Sequence, residues 1–138
     1  MAKIILARGG RQESEMGACG TKPKPAREKE ELETKTGRVT VHHYNKSCFA
    51  QIRLKDKISD EFLEKVDFGK LKPGGGKGGN LLVFSDDRQI VVKEIGGGDH
   101  TTLLQLAESY SQHVTDEENG TLMCKFYAHF YLCYEGKG

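Results

Sequence analysis

Leu81-Leu-Val-Phe-Ser-Asp-Asp-Arg-Gln-Ile-Val-Val-Lys93 is the stretch that decides the fold. Two apolar runs, Leu81–Phe84 and Ile90–Val92, flank the polar Ser85-Asp-Asp-Arg88. That pattern predicts a β-hairpin with an Asp-Asp turn and a lysine just past its second apolar run. On the amino side, Lys72-Pro-Gly-Gly-Gly-Lys-Gly-Gly79 breaks all periodicity. On the carboxyl side, Gly96–Gly98 runs into Asp99, a good N-cap residue. Behind it Leu103, Leu104, Ala107, Tyr110 and Val114 recur at helical spacing, which predicts a helix over residues 100–114.

Further out, Lys125–Tyr134 (KFYAHFYLCY) is aromatic and β-prone, so a final strand is expected there. Toward the amino end, Val39 and Val41 alternate with polar residues as in a short strand. Tyr44, Cys48 and Ile52 recur every fourth position with Phe49 beside them, which suits one face of a helix over about residues 44–55. Ser59 is placed to cap a second helix, SDEFLEKVDF, with Phe62, Leu63 and Val66 on its buried side. From residue 44 the order therefore reads helix, helix, glycine loop, strand, strand, helix, strand.

The 138 residues and 15.4 kDa suit one small domain, or a folded core with a tail. Of 31 Leu, Ile, Val and Phe residues, only Ile4, Ile5, Leu6 and Leu32 precede residue 39. This divides the chain into a charged, extended or disordered arm over residues 1–38 and a folded domain over residues 39–138. Within the arm, Lys22-Pro-Lys-Pro25 favours extended backbone, and Glu28–Leu32 suits a short polar helix. Two readings of the arm stand: a solvated tail, or a segment that orders on other protein chains. With 21 Lys+Arg against 20 Asp+Glu, a net charge of +1, no overall basic field argues for nucleic acid. The apolar runs are too short for a transmembrane helix, and the apolar start is too short for a secretory leader. The four cysteines contain no CxxC pair and read as reduced thiols, so an intracellular, non-secreted setting is expected. His42-His43 near Cys48 lacks a fourth ligand at zinc spacing and reads as surface residues. No metal ligand set is expected.

Glycine is the outlier, with 17 residues in the chain, eight of them between Gly74 and Gly98. Bare backbone can approach a phosphate closely and offer its N–H groups, so Gly74–Gly79 is a candidate phosphate cover. It is neither a Walker A loop nor a dinucleotide fingerprint, because a strand rather than a helix follows. A glycine loop, a strand, a turn and a strand with a lysine is the protein-kinase order, in which the loop covers a triphosphate and the strand lysine contacts its oxygens. The competing reading is a flexible connector and a solvent-facing lysine. Lys70, Lys72 and Lys77 could also attract an anionic lipid headgroup.

Residues 75–132 resemble the amino-terminal lobe of phosphatidylinositol phosphate kinases. The resemblance rests on Gly75, Gly76, Lys77 and Gly79 in the loop, Asp86, Asp87 and Arg88 in the turn, and Lys93 at the position of the family's ATP lysine. It extends to Leu103, Leu104, Tyr110, His113 and Val114 on the helix, and to Thr121, Leu122, Phe126 and Tyr127 toward the last strand. Tyr44, Phe49 and Arg53 are similar to a family helix more weakly. The resemblance implies an α+β fold, an antiparallel β-sheet with flanking helices. It also implies ATP with Mg²⁺ as the ligand of Gly75, Gly76, Lys77, Gly79 and Lys93, bound weakly or not at all by this lobe alone because the wall that buries the adenine belongs to the second lobe. It departs from the family at Gly78 and Asn80, where loop serines are usual, and at Asp99, shorter than the usual glutamate. The family's catalytic and metal-binding aspartates belong to a second lobe with no counterpart in these residues. The expectation is therefore a kinase-lobe fragment with no catalytic residue of its own. The alternative is a non-catalytic interaction subunit that meets other chains through its arm and an exposed sheet edge.

Overall fold

The computed structural model describes residues 2–7, 27–34, 37–70, 72–73, 81–116, 118 and 120–134, with the backbone alone at 2–7, 27, 34, 72–73 and 134. Seven strands form one sheet: β1 (Ala2–Ala7), β2 (Arg27–Thr34), β3 (Gly37–Tyr44), β4 (Lys72–Pro73), β5 (Leu81–Phe84), β6 (Ile90–Ile95) and β7 (Phe126–Tyr134). Two helices, α1 (Lys46–Lys55) and α2 (Gly97–Thr115), and two 3₁₀ turns, Phe62–Lys65 and Phe68–Lys70, complete the fold. The class is α+β, and the strand order is β2-β3-β7-β1-β6-β5-β4.

Four of the six ladders are antiparallel: β2–β3, β3–β7, β6–β5 and β5–β4. The other two belong to β1, which runs parallel to both neighbours. Two antiparallel halves are thus joined by one central strand. That strand contains Ile4-Ile-Leu6, a consecutive apolar run of the kind that strands in parallel pairing carry.

The division of the chain at residue 38 does not coincide with a break in the sheet, because β2 and β3 pair continuously from Arg27–Tyr44 to Thr34–Gly37. Glu28–Leu32 is strand, not helix. Its glutamates and lysine suit an edge strand, where Lys29, Glu31 and Glu33 point to solvent while Glu30 and Leu32 are half-buried. The segment 59–68 also differs from expectation. Ser59 Oγ accepts from Glu61 N–H at 3.2 Å and closes a turn, after which the two 3₁₀ turns replace a continuous helix. Phe62, Leu63 and Val66 are nonetheless buried as the apolar spacing required, and Phe68 is buried with them.

Along β7 the successive residues Tyr127, Ala128, His129 and Phe130 are all buried, so both faces of the sheet are covered there. Phe68, in the second 3₁₀ turn, meets Phe130 edge-on at 6.4 Å. His129, one residue earlier and hence on the opposite face, meets α1 through Phe49 and α2 through His100. The core joins these to Val39 and Val41 of β3, Ile52 of α1, Val92 of β6, and Ala107 and Val114 of α2.

Candidate functional site

The β5–β6 hairpin forms as its sequence demands. Ser85 N–H donates to the Ile90 carbonyl at 2.8 Å, and Arg88 N–H donates to the Ser85 carbonyl at 2.9 Å. Asp87 Oδ1 accepts from Ser85 Oγ at 2.6 Å and from Gln89 N–H at 3.1 Å, while Ser85 Oγ accepts from Ile90 N–H. The Ser85 hydroxyl, then the Gln89 N–H, hold the Asp87 carboxyl below the usual carboxylate range. Arg88 takes φ 57° at the corner and lays its guanidinium 5.7 Å from the centre of the Phe84 ring. Asp86 and Asp87 lie 3.9 Å and 3.8 Å from Lys70 and Lys65. Asp-Asp-Arg is therefore the machinery of the turn.

Lys93 is the one exposed residue in an otherwise buried β6. It stands opposite Leu82 of β5 on one side and Ile5 of β1 on the other. Ile5 in turn stands opposite His129 of β7. Residues in register across a sheet share a face, so Lys93 and His129 lie in one row, two strand spacings or about 10 Å apart. Gly75, Gly76, Lys77 and Gly79 lie outside the described residues.

The helix that follows Lys93 starts earlier than expected. Gly96 is its N-cap, with extended backbone and no side-chain cap, and Asp99 sits exposed in the first turn. Asp99 is therefore not the capping residue, since Gly97 and Gly98 already take helical conformation ahead of it. Among the described residues no ion pair joins Asp99 to Lys93. What the first turn does bring to the sheet is His100, whose Nδ1 lies 2.8 Å from His129 Nε2. Tyr44, the last residue of β3, completes the group, its ring 4.9 Å from both imidazoles. Burial, and next the neighbouring His100, push His129 down to about 3, so it is neutral at physiological pH.

His129 was not legible as a site residue. The only signal is its position between Tyr127 and Tyr131, in phase with both on an aromatic strand. Arg53 and Phe49 of α1, weak members of the resemblance, do converge on β7. Arg53 Nη1 donates to the Tyr127 carbonyl at 2.7 Å, and Phe49 meets His129 edge-on at 6.4 Å. His42 and His43 are sheet residues: His42 packs against Tyr131, and His43 Nε2 lies 2.8 Å from Glu30 Oε2. A cavity of about 250 Å³ adjoins that pair, lined by Glu30, His43, Lys46, Arg53, Asp60 and Phe62 among others, and Lys93 is not part of it. No described helix is long and apolar enough to cross a membrane.

Fold and site together define an α+β domain whose hairpin, following a glycine-rich segment in the sequence, presents a single exposed lysine. The family model for phosphatidylinositol-4-phosphate 5-kinase matches residues 68–137, half of the chain, and the chain belongs to that family. The match takes in the hairpin, Lys93, α2 and β7, and leaves β1, β2, β3 and α1 outside it. No curated protein and no solved structure matches the chain.

Proposed function

We propose that this chain supplies the phosphate-gripping half of a phosphatidylinositol phosphate kinase's ATP site. Gly75, Gly76, Lys77 and Gly79 cover the phosphates with backbone N–H groups, and Lys93 contacts their oxygens. The observation that carries this reading is the exposure of Lys93 at the one interruption of a buried strand, beside the strand that the glycine segment leads into. Its ammonium group is accessible to a ligand on that face. Bound MgATP would supply the γ-phosphoryl group, which in the family passes to an inositol-lipid hydroxyl.

Transfer needs metal ligands and an acceptor base as well as a phosphate grip. Of the three carboxylates within the hairpin, Asp86 and Asp87 are engaged in their turn and with Lys70 and Lys65, and Glu94 is buried. These residues therefore bind nucleotide and orient it, and do not by themselves carry out transfer. A second reading, an interaction subunit of a larger assembly, is favoured by β2, a charged strand at the edge of the sheet. Calorimetry with MgATP on the wild-type chain and on Lys93→Ala separates them. Binding lost in Lys93→Ala, with the thermal transition unchanged, supports the ATP site; absent binding, or binding indifferent to the change, overturns it.

A further inference from the structure

His100, His129 and Tyr44 form a closed triangle of rings whose members come from α2, β7 and β3, with centroids 4.8 to 4.9 Å apart. The 2.8 Å nitrogen–nitrogen contact between His100 and His129 needs one proton and one lone pair. Two tautomer arrangements satisfy it. If His100 Nδ1–H donates, His129 must carry its own proton on Nδ1, which is buried without a hydrogen-bond partner. If His129 Nε2–H donates, its buried Nδ1 is a bare lone pair. An orphaned N–H is the rarer and costlier of the two inside a protein, so the second arrangement is favoured. His100 then accepts at Nδ1, and that is the atom a proton would take.

We propose that the His100–His129 contact is a proton-sensitive latch that holds the amino-terminal turns of α2 against the sheet and releases them on mild acidification. A proton on His100 Nδ1 faces the His129 N–H head-on. The contact then either opens or forces His129 into the tautomer with an orphaned buried donor. His129 does not relieve this by taking the proton itself, because it is 1% exposed and its burial disfavours the charged form. A cation in the first turn of α2 is also opposed by the helix dipole.

Titratable groups on the face of the pair include Tyr44 and His42 from β3, Tyr127 and Tyr131 on β7, Asp56 at the end of α1 on the Tyr127 hydroxyl, and Lys93 of β6 in the row beyond Ile5. Asp99 precedes His100 on α2, and α1 presents Phe49 to His129 and Arg53 to the Tyr127 carbonyl two residues earlier. None of these is a carboxylate facing His129 from the sheet, so nothing there favours charging it.

The two ends of α2 are held differently. Toward its carboxyl end, Tyr110 Oη donates to the Cys124 carbonyl and accepts from Phe126 N–H, and Lys55 Nζ donates to the Val114 carbonyl. At the other end, Gly96, Gly97 and Gly98 precede His100, with open space where a side chain would stand. Opening the latch therefore leaves the turn that follows the glycines held by the packing of Leu103 and Leu104, while the other end keeps its hydrogen bonds. The latch needs no nucleotide.

Hydrogen exchange read by NMR at pH 7.5 and 5.5, corrected for intrinsic rates, tests this. The wild type should lose protection over residues 99–104 by about tenfold relative to residues 107–114 at the lower pH. His100→Asn keeps a hydrogen-bonding group near Nδ1, and His129→Gln keeps one near Nε2. Neither titrates, so both should abolish the difference. Uniform loss along α2, no loss, or a difference that persists in both variants overturns the latch. The imidazole ¹⁵N shifts of the wild type give a reading free of any variant. His129 should remain neutral with its proton on Nε2 down to pH 5.5 while His100 titrates; a His129 that titrates near the ordinary histidine value of ~6.5 overturns it.

Discussion

Arg53 of α1 donates from Nη1 to the main-chain carbonyl of Tyr127 at 2.7 Å, across 74 residues of sequence. Its side chain is almost completely buried, with the guanidinium over the Phe62 ring at 4.9 Å and Nε 3.5 Å from Asp60. Burial, against the pull of Asp60, lowers its pKa from the usual arginine value, yet far too little to neutralise it. One side chain thereby ties α1 to β7 and to the first 3₁₀ turn. Arg53→Met keeps the volume and removes the donor, leaving the Tyr127 carbonyl in apolar surroundings. The expected loss is about 2 kcal/mol, the cost of a stranded buried acceptor with little lost packing. A urea midpoint unchanged in Arg53→Met would show that the contact contributes nothing.

Tyr110 makes the corresponding link for α2. Its hydroxyl donates to the Cys124 carbonyl at 2.7 Å and accepts from Phe126 N–H at 2.9 Å, so one oxygen closes the connection between α2 and β7. Burial, the larger influence, raises its pKa and keeps it protonated as the donor role requires. Tyr110→Phe retains the ring and strands both main-chain groups. The expected cost is about 1–3 kcal/mol, and Phe126 N–H should exchange faster with solvent than its neighbours on β7. Retained protection at Phe126 would mean that water replaces the hydroxyl.

Stability should depend on pH between about 3 and 6.5, with His129 the main cause. Its folded pKa, about 3, lies below the ~6.5 of the unfolded chain. Within that window the unfolded chain binds the proton and the folded one does not, so stability is full above pH 6.5 and falls with acidification. At pH 5 the loss is about 2 kcal/mol relative to neutral pH, from 1.36 kcal/mol for each unit below 6.5. His43 acts in the same direction, since burial outweighs its Glu30 partner and lowers its pKa. His129→Phe should therefore flatten the pH dependence without abolishing it. Denaturant midpoints at pH 7.5 and 5.0 for both proteins measure the difference, and equal slopes would assign the effect elsewhere.

The parts of the fold legible in the sequence are those fixed by local chemistry. The hairpin of Leu81–Ile95 follows from two apolar runs about a turn that Ser85 and Asp87 can close themselves, and α2 follows from the spacing of Leu103, Ala107, Tyr110 and Val114. The strands β1 and β2 were hidden for different reasons. β2 carries the Glu and Lys residues of a polar helix, and only pairing with β3 makes it a strand. β1 pairs with β6 and β7, both more than 80 residues away, and nothing in its six residues names those partners. The site divides in the same way. Lys93 was visible from its place after Ile90-Val-Val92. The His100–His129 contact spans 29 residues and depends on how α2 lies over β7.

The central position of β1 gives the sharpest test of the fold. Ile5 is in register with Lys93 on one side and with His129 on the other, next to a register shift in the β7 ladder, so its main chain lies inside the sheet. Proline at residue 5 deletes an N–H from the middle of the sheet and crowds the neighbouring strand, which costs about 3 kcal/mol or more in regular structure. Proline within an unpaired charged arm would cost almost nothing. Ile5→Pro should therefore lower the urea midpoint more than any other variant considered, while Ala2→Pro, at the first residue of the strand, should be milder because strands tolerate proline there. Loss of β1 would also part the antiparallel half that carries Lys93 from the half that carries His129. The tryptophan-free chain allows this to be followed by tyrosine fluorescence, with Tyr127 and Tyr131 on β7 reporting the separation. An Ile5→Pro protein with the wild-type midpoint would remove β1 from the sheet and return residues 2–7 to the arm.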